Sequence, residues 1–555
     1  MPIEGFVPHP PEVAARWREL GYWQDRTLFE EYAERFSRYA SRTALVGEEG
    51  DSLTYRDLET RATRLARNLY DLGLRPLDRV IIQLPNVPEL MVLYLALQRI
   101  GAIPLMALQS HRYMEISQFT ANSGAVAIAT PVGYRSFSYL EMVTRITHEQ
   151  DSLRWGLVLG RIPVGTEGPF VDLQDLEERP PSTTVTDLDA LELDPDEPAV
   201  LQLSGGTTGV PKLIPRTHND YALNSRLAVA ATEVRPDDAL LVVLPAAHNL
   251  PLACPGMQGF LFSGARAVMS RSARPEHVFA LVQEHAITHI HVVPALLIAW
   301  LNSGSASDYD LSSVRIIQSG GQRLQPKVRE ATVRLFPNCT VQENFGMSEG
   351  VLMFVRLGDP EDVWRETCGR PVCPHDEVRL VDDEDREVPA GNVGEMICRG
   401  PYTIRGYFRA DEHNARAFTK DGFYRSGDLM RLHPSGNYIV AGRKKDLINR
   451  GGEKISAEEV ENLILSHPSV MNVACVPVPD ERLGERMCAC VILQDSAELD
   501  FDGLVQHLMS KEIAKFKLPE RLEIFEDFPL SGFGKVSKKD LVNMVADRDA
   551  QMARP

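Results

Sequence analysis

The chain lacks any stretch that reads as an export signal or a membrane span. Its N-terminus, "MPIEGFVPHPPEVAARW", has no basic segment followed by an apolar one. The longest apolar region, 90–108, is interrupted by Gln98, Arg99 and Pro104, too soon for a bilayer core. An excess of positive charge is also missing. The formal net charge of −18 argues against nucleic acid, whose phosphates need clustered Lys and Arg. The short run "KVSKK" (535–539) is a local basic exception. Cysteine is sparse, with eight residues at 254, 339, 368, 373, 398, 475, 488 and 490. They form no pair of CxxC units, and their density is far below that of a disulfide scaffold. Cys488 and Cys490, two apart in an apolar run, are expected on one strand face as small buried hydrophobes. No internal period marks a solenoid. These absences lead us to expect a soluble, cytoplasmic protein that binds neither nucleic acid nor membrane.

What is present is an ordinary globular composition, 44% apolar and 25% charged. A length of 555 residues exceeds one compact core and implies at least two domains. Residues 54–70 carry Leu58, Ala62, Leu65 and Leu69 at helical spacing. "RVIIQL" (79–84) then reads as a buried strand and "ELMVLYLALQRIG" as a helix ending at Gly101. The alternation returns through "AVAIAT", "WGLVLG", "ALLVVLP", "RAVMS", "ITHIHVVP" and "VRIIQSGG". Short β-branched runs separated by helical patterns predict an α/β fold with largely buried sheets. Residues 161–197, rich in Pro, Thr, Asp and Glu, read as a surface connection.

The last hundred or so residues predict a smaller α+β unit. "SAEEVENLILSHP" has Ser456 as a helix N-cap with Glu459 completing a capping box. Strands at "MNVACVPV" and "MCACVIL", a helix near 501–513 and a strand at "RLEIFED" follow. The basic, glycine-flanked segment 441–452 marks the boundary, which we set between residues 443 and 444.

One loop raises a chemical question. "LSGGTTGVPK" (203–212) combines small residues, hydroxyls and a terminal lysine, a composition suited to holding an anion on backbone N–H groups. It is not the common phosphate loop, which needs Gly before its Lys and Ser or Thr after it. Pro211 and Leu213 stand there instead. Four further motifs follow in order: "NFGMSEG" (344–350), "YRSGDL" (424–429), "GRKKDLINRGGEKI" (442–455) and "GKVSKK" (534–539).

With these five motifs the chain resembles the adenylate-forming superfamily of acyl-CoA synthetases, peptide-synthetase adenylation domains and luciferases, from about residue 50 to 540. The resemblance implies a large N-terminal domain of layered sheets and helices (1–443) and a small mobile C-terminal domain (444–555). It also implies ATP and Mg2+ as cofactors. In this family the loop, here Ser204, Gly205, Gly206, Thr207, Thr208, Gly209 and Lys212, holds the β- and γ-phosphates while a carboxylate attacks the α-phosphate. Glu349 matches the magnesium-binding carboxylate, and Asp428 the acceptor of both ribose hydroxyls. Gly320, Gly321 and Gln322 match the backbone that approaches adenine, with Phe345 stacking on it. Arg443 matches a contact to ribose and phosphate, Lys445 the hinge, and Lys535 the catalytic lysine that neutralises charge between carboxylate and α-phosphate. Gly532 and Gly534 let its loop project, while Gly451 and Gly452 make the hinge stretch permissive.

"PKLIPRTHNDY" (211–221), "AAHNLPLACPG" (246–256), "GPYTIRGY" (400–407) and "INRGGEKI" (448–455) are similar to the stand-alone aryl-acid AMP ligases of siderophore and related nonribosomal peptide pathways. Those enzymes load the phosphopantetheine of a separate aryl carrier protein. His248 and Asn249 would then enter the substrate pocket, with Gly320 and Lys535 also bordering it, His248 counting with Lys535 and Glu349 as catalytic and Asn249 offering donor and acceptor together to a 2-hydroxy acid. Cys254 and Leu352 match salicylate-using relatives more than dihydroxybenzoate ones. Leu250 and Asn344 depart from the usual aromatic and Val. The expected order of acids is salicylate or 6-methylsalicylate, then 3-hydroxypicolinate, then 2,3-dihydroxybenzoate. An aryl-CoA ligase is the alternative. A mere nucleotide-binding scaffold is disfavoured because Lys535, Glu349 and Asp428 are all present.

Overall fold

The computed structural model describes residues 2–552 except Arg135, 205–210, Gln322, Arg323, Gln325, Gly452, Glu481, Asp495, Glu512, Gly532 and Phe533. The predicted helix at 54–70 is α1 (Tyr55–Asp71), begun by a capping box between Thr54 and Asp57. The next, α2 (Pro88–Ile100), stops at Gly101, whose φ of +69° is the left-handed cap a glycine accepts. Nearly every α2 side chain is buried, because this helix lies between two sheets and has no solvent face.

The larger sheet has nine strands and the second has seven, and their central pairs are parallel. Strand alternation separates the cores. Leu240 and Val242 face a shared cluster that also takes Val80 and Ile82 from the seven-stranded sheet, with α1 and α2 between. Leu241, Ile290 and Val292 face the opposite side, and Ile81, Ile103 and Leu105 do the same for the second sheet. Five layers result, helices alternating with sheets.

Residues 161–197 are more than a surface connection. They add an edge strand, Phe170–Asp172, and two short helices that bury Leu173, Leu176 and Leu188. Their apolar residues are too few and too widely spaced to show a period.

The strands that frame the site follow in chain order. β1 (Pro198–Leu203) and β2 (Leu213–Thr217) form a hairpin across the 204–212 loop. α3 (His218–Thr232) follows β2 through a capping box of Thr217 and Asp220. The short α4 (Asn249–Ala253) comes next. β3 (His289–Val292), β4 (Ile316–Ser319) and β5 (Thr340–Met347) are parallel neighbours, and β6 (Gly350–Phe354) returns against β5. β7 (Tyr424–Leu432) and β8 (Tyr438–Arg443) belong to a four-stranded antiparallel sheet.

Sheet membership changes between Arg443 and Leu447, where a five-stranded sheet begins. Its two faces carry separate cores. Cys475, Met487, Ala489 and Val491 lie on one, while Cys488, Cys490 and Val476 lie on the other against Leu541 and Val545 of the last helix. Cys488 and Cys490 thus share a face as expected, and both are free and buried. Ser456 caps its helix by accepting from Glu459 N–H. Glu459 does not complete the box, because its carboxylate accepts from Lys517 Nζ at 2.7 Å instead. The helix expected near 501–513 ends at Ser510. This small unit meets the rest through polar contacts, among them Lys444 to Glu395 and Lys454 to Asp383. Among the described residues no helix is long and apolar enough to cross a membrane.

Candidate active site

The expected site residues gather at the C-terminal ends of β4 and β5, where Gly320, Gly321 and Asn344 lie and Lys535 approaches. The end expected to hold phosphates begins at the loop neck. Ser204 N–H donates to Lys212 O at 3.0 Å, and Lys212 N–H donates to Ser204 Oγ at 2.9 Å. The Ser204 hydroxyl therefore closes the loop and keeps only its own proton to donate. Gly205, Gly206, Thr207, Thr208 and Gly209 lie outside the described residues, as do Gln322, Gly452 and Gly532. Lys212 Nζ sits 5.9 Å above the Tyr407 ring.

Glu349 is buried in the turn between β5 and β6, and its Oε1 accepts from Tyr407 O–H at 2.7 Å. Burial pushes its carboxyl above the usual range, against the pull of that bond. Arg216 fixes the turn from beneath. Fully buried, it pairs with Asp220 at 2.8 Å and donates to the carbonyls of Ser348 and Tyr402. Sequence reasoning assigned no role to Arg216, Asp220 or Tyr407. The signal was the Thr217–Asp220 capping spacing inside the "PRTHNDY" stretch, which also sets Arg216 and Asp220 four apart.

Asp428 and Arg443, expected as separate nucleotide contacts, are cross-strand partners on β7 and β8. Arg443 Nε donates to Asp428 Oδ1 at 2.8 Å. Burial raises the Asp428 carboxyl, and Arg443 opposes that rise. Phe345 is half-buried on β5 beside this sheet.

Lys535 is delivered by the small unit. A turn closed by Ser531 N–H to Lys535 O, with Gly534 at φ +82°, projects it. A Cβ added to Gly321 would lie 2.5 Å from Lys535 Cε and 2.9 Å from its Nζ. Gly321, itself at φ +85°, is therefore the space the lysine occupies. Burial brings its ammonium down to about 8, with repulsion from Arg443 and Lys445 adding to the effect and Asp428 opposing it. Lys538 of the same basic run pairs with Glu461 at 2.6 Å, so only Lys535 of that pair approaches Gly321. Lys445, in the short turn after β8, is lowered by burial and by repulsion from Arg443, and Lys212 adds to it. Four cations converging on two carboxylates make an anion site.

The end expected to take the aryl acid is uncharged. His248 caps α4, its Nδ1 accepting from Leu250 N–H, which puts the neutral ring's proton on Nε2. Burial and the Lys535 charge push its pKa down to about 3. Asn249 is buried, with Oδ1 accepting from Tyr221 O–H at 2.8 Å and Nδ2 donating to Cys254 Sγ at 3.3 Å. Tyr221 in turn accepts from Gln202. One lone pair of the amide oxygen and one N–H are thus engaged within the protein, and one of each remains for a ligand. Cys254 also accepts from Asn224 Nδ2 at 3.6 Å, and burial pushes its thiol up to about 11. Leu250 and Leu352 pack with Cys254 and Phe354 in one apolar cluster. Asn344 is buried on β5 facing Phe354. Gly320, after β4, lies beneath Asn344 and Leu250.

Cations gathered about two buried carboxylates, an uncharged cluster nearby and a lysine of the small unit against Gly321 agree with the arrangement expected of an adenylate-forming enzyme. The chain belongs to the AMP-binding enzyme family, whose profile matches residues 31–408, with the AMP-binding enzyme C-terminal domain at 459–535. It is 44% identical over 549 residues to a salicylyl-CoA synthase / salicylate adenylyltransferase of a Streptomyces species, covering 98% of each chain. A salicyl-AMP ligase / salicyl-S-ArCP synthetase of Mycobacterium tuberculosis is 41% identical, over 98% of this chain and 95% of that one. The apo structure of Mycobacterium smegmatis MbtA superposes with a TM-score of 0.73 at 38% identity, covering 97% and 98% of the two chains. With such relatives along nearly its whole length, the chain is an adenylate-forming ligase of the aryl-acid AMP type, a class that uses ATP.

Proposed function

We propose that the enzyme activates a 2-hydroxyaryl carboxylic acid with ATP and then passes the acyl group to the phosphopantetheine thiol of a separate aryl carrier protein. The observation that carries this is the approach of Lys535 to Gly321 beside Asp428. In the first step a carboxylate oxygen bonds the α-phosphorus, and the bond to the β-phosphate oxygen breaks, releasing pyrophosphate. Lys535 neutralises negative charge between the two reacting groups. Lys212 and the loop backbone receive the β- and γ-phosphates, and Arg443 and Asp428 take the ribose. The neutral His248 lines the carboxylate side without adding a proton-transfer group. In the second step the thiol sulfur bonds the carbonyl carbon, the thiol proton is lost, and AMP departs with the bridging oxygen.

Glu349 is the residue that would hold Mg2+, and it fits. It is a buried, hard oxygen donor near the loop, and a single carboxylate beside substrate phosphates suits this ion. When bound, the ion neutralises phosphate charge. We take residues 1–443 as the binding domain, 444–555 as the moving one and Lys445 as the hinge, supported by the polar contacts between them. Lys535 against Gly321 corresponds to the arrangement needed for adenylation, and its withdrawal would open a path for the thiol. The eight free, buried cysteines support a reducing, cytoplasmic setting.

The test is ATP–pyrophosphate exchange across benzoate, salicylate, 6-methylsalicylate, 2,3-dihydroxybenzoate, 3-hydroxypicolinate and a fatty acid. Exchange with 2-hydroxyaryl acids and little with benzoate is expected. Exchange only with benzoate or a fatty acid would sink the proposal. The name of the Streptomyces relative supports a second reading, transfer to free CoA. Release of aryl-CoA at the rate of carrier loading would favour it.

A further inference from the structure

Asn344 is a polar side chain at the aryl end to which the reaction above gives no task. It is 7% exposed, and its Nδ2 has no hydrogen-bond partner among the described residues. Its surroundings offer none. Phe354 stands opposite it on β6, and Leu352 lies one pair further along the same face. A Cβ added to Gly320 would meet Asn344 Oδ1 at 2.3 Å and Leu250 Cδ2 at 3.6 Å, so the amide oxygen lies directly over that glycine with Leu250 beside it. The adjacent Gly321 borders Lys535. A buried donor without an acceptor is destabilising and needs a reason; a half-turn of the amide exchanges Oδ1 for Nδ2 over Gly320, where a bound ring can supply the acceptor.

We infer that Asn344 is a specificity residue that donates from Nδ2 to an acceptor within the ring of the bound acid. The acid is accordingly a 3-hydroxypyridine-2-carboxylate type rather than a benzene carboxylate. This rests on the aryl-acid reading above and reverses the expected order of acids. A carboxylate that reaches Lys535 passes Gly321, and Asn344 stands at the preceding residue, so the acceptor belongs beside the carboxyl group. A ring nitrogen has its lone pair in the ring plane and adds no bulk over C–H, which suits a space walled by Leu250 and Leu352. The N–H that Asn249 retains serves the hydroxyl oxygen. A benzene C–H at the same position would leave Nδ2 unbonded.

The matched pair 3-hydroxypyridine-2-carboxylate and 2-hydroxybenzoate differs only in that atom. The expected result is a kcat/KM for exchange at least about tenfold higher for the heteroaryl acid in the wild type. In Asn344→Val the preference should collapse or invert, because the donor is gone while 2-hydroxybenzoate loses nothing. Equal use of the two acids by the wild type, or preference for 2-hydroxybenzoate, overturns the inference and leaves the aryl-acid reading standing. A preference that persists in a folded Asn344→Val, judged by its thermal unfolding midpoint, overturns the role of Asn344. Should that variant not fold, the wild-type ratio decides. Exchange with neither acid overturns the inference, and the aryl-acid reading falls with it only if 6-methylsalicylate and 2,3-dihydroxybenzoate also fail.

Discussion

At the end read as the phosphate site, side chains from two different sheets and a distant turn converge: Lys212 after the β1–β2 loop, Asp428 and Arg443 from β7 and β8, and Lys535 from the small unit. At the aryl end nearly everything comes from α4, β5 and β6, and carries no charge. The difference teaches where chemistry and where selectivity reside. Phosphate charge is the same whatever acid is bound, so its ligands can be fixed and far apart in sequence. Selecting the acid requires shape and single hydrogen bonds within one compact patch, where one residue changes the answer.

Removing Lys535 should give the largest effect. Lys535→Ala is expected to lower the rate of exchange by about 10²–10³, with binding of the acid little changed. Unchanged exchange would break the assignment of the phosphate end. Lys445→Pro should separate the two half-reactions, sparing exchange and impairing thioester formation on the carrier. Equal loss of both would show that no pivot lies there. A pH profile sharpens the same end. On the proposed mechanism the working form of Lys535 is the ammonium, whose pKa burial lowers to about 8. kcat/KM should therefore hold below that value and fall about tenfold per unit above it. The fall should move to higher pH in kcat, since bound phosphates favour the charged form. A flat profile to pH 10 would exclude the ammonium as the working group.

The smallest change tests the aryl end. Cys254→Ser replaces a weak acceptor by a hydroxyl that pairs well, which should raise use of 2,3-dihydroxybenzoate by roughly five- to tenfold, at the low end of a buried hydrogen bond. No change would mean that Leu352 alone excludes the 3-hydroxyl.

The sheets were legible because β-branched runs such as 79–84 and 314–319 alternate with helices whose ends carry caps. The phosphate end was legible because its residues sit in short motifs with glycines. What escaped is what depends on distant partners. Nothing around Asn249 in sequence indicates that Tyr221 would occupy its oxygen. Nothing near Glu349 points to Tyr407, 58 residues on, or to Arg216 beneath the turn. Glu459 has the right spacing for a capping box, yet a lysine 58 residues away competes successfully for it. Local patterns report local options; the fold chooses among them.

The pairing of Asp428 with Arg443 has a consequence for traffic through the site. Both belong to one antiparallel sheet, and Arg443 is its last strand residue before the chain enters the small unit. A pivot at Lys445 would carry Lys535 away but leave Arg443 moored. The site would thus shed the cation that serves the reacting carboxylate while keeping the one beside the ribose. The adenylate would remain tethered by its nucleotide half, with its acyl half uncovered for the incoming thiol.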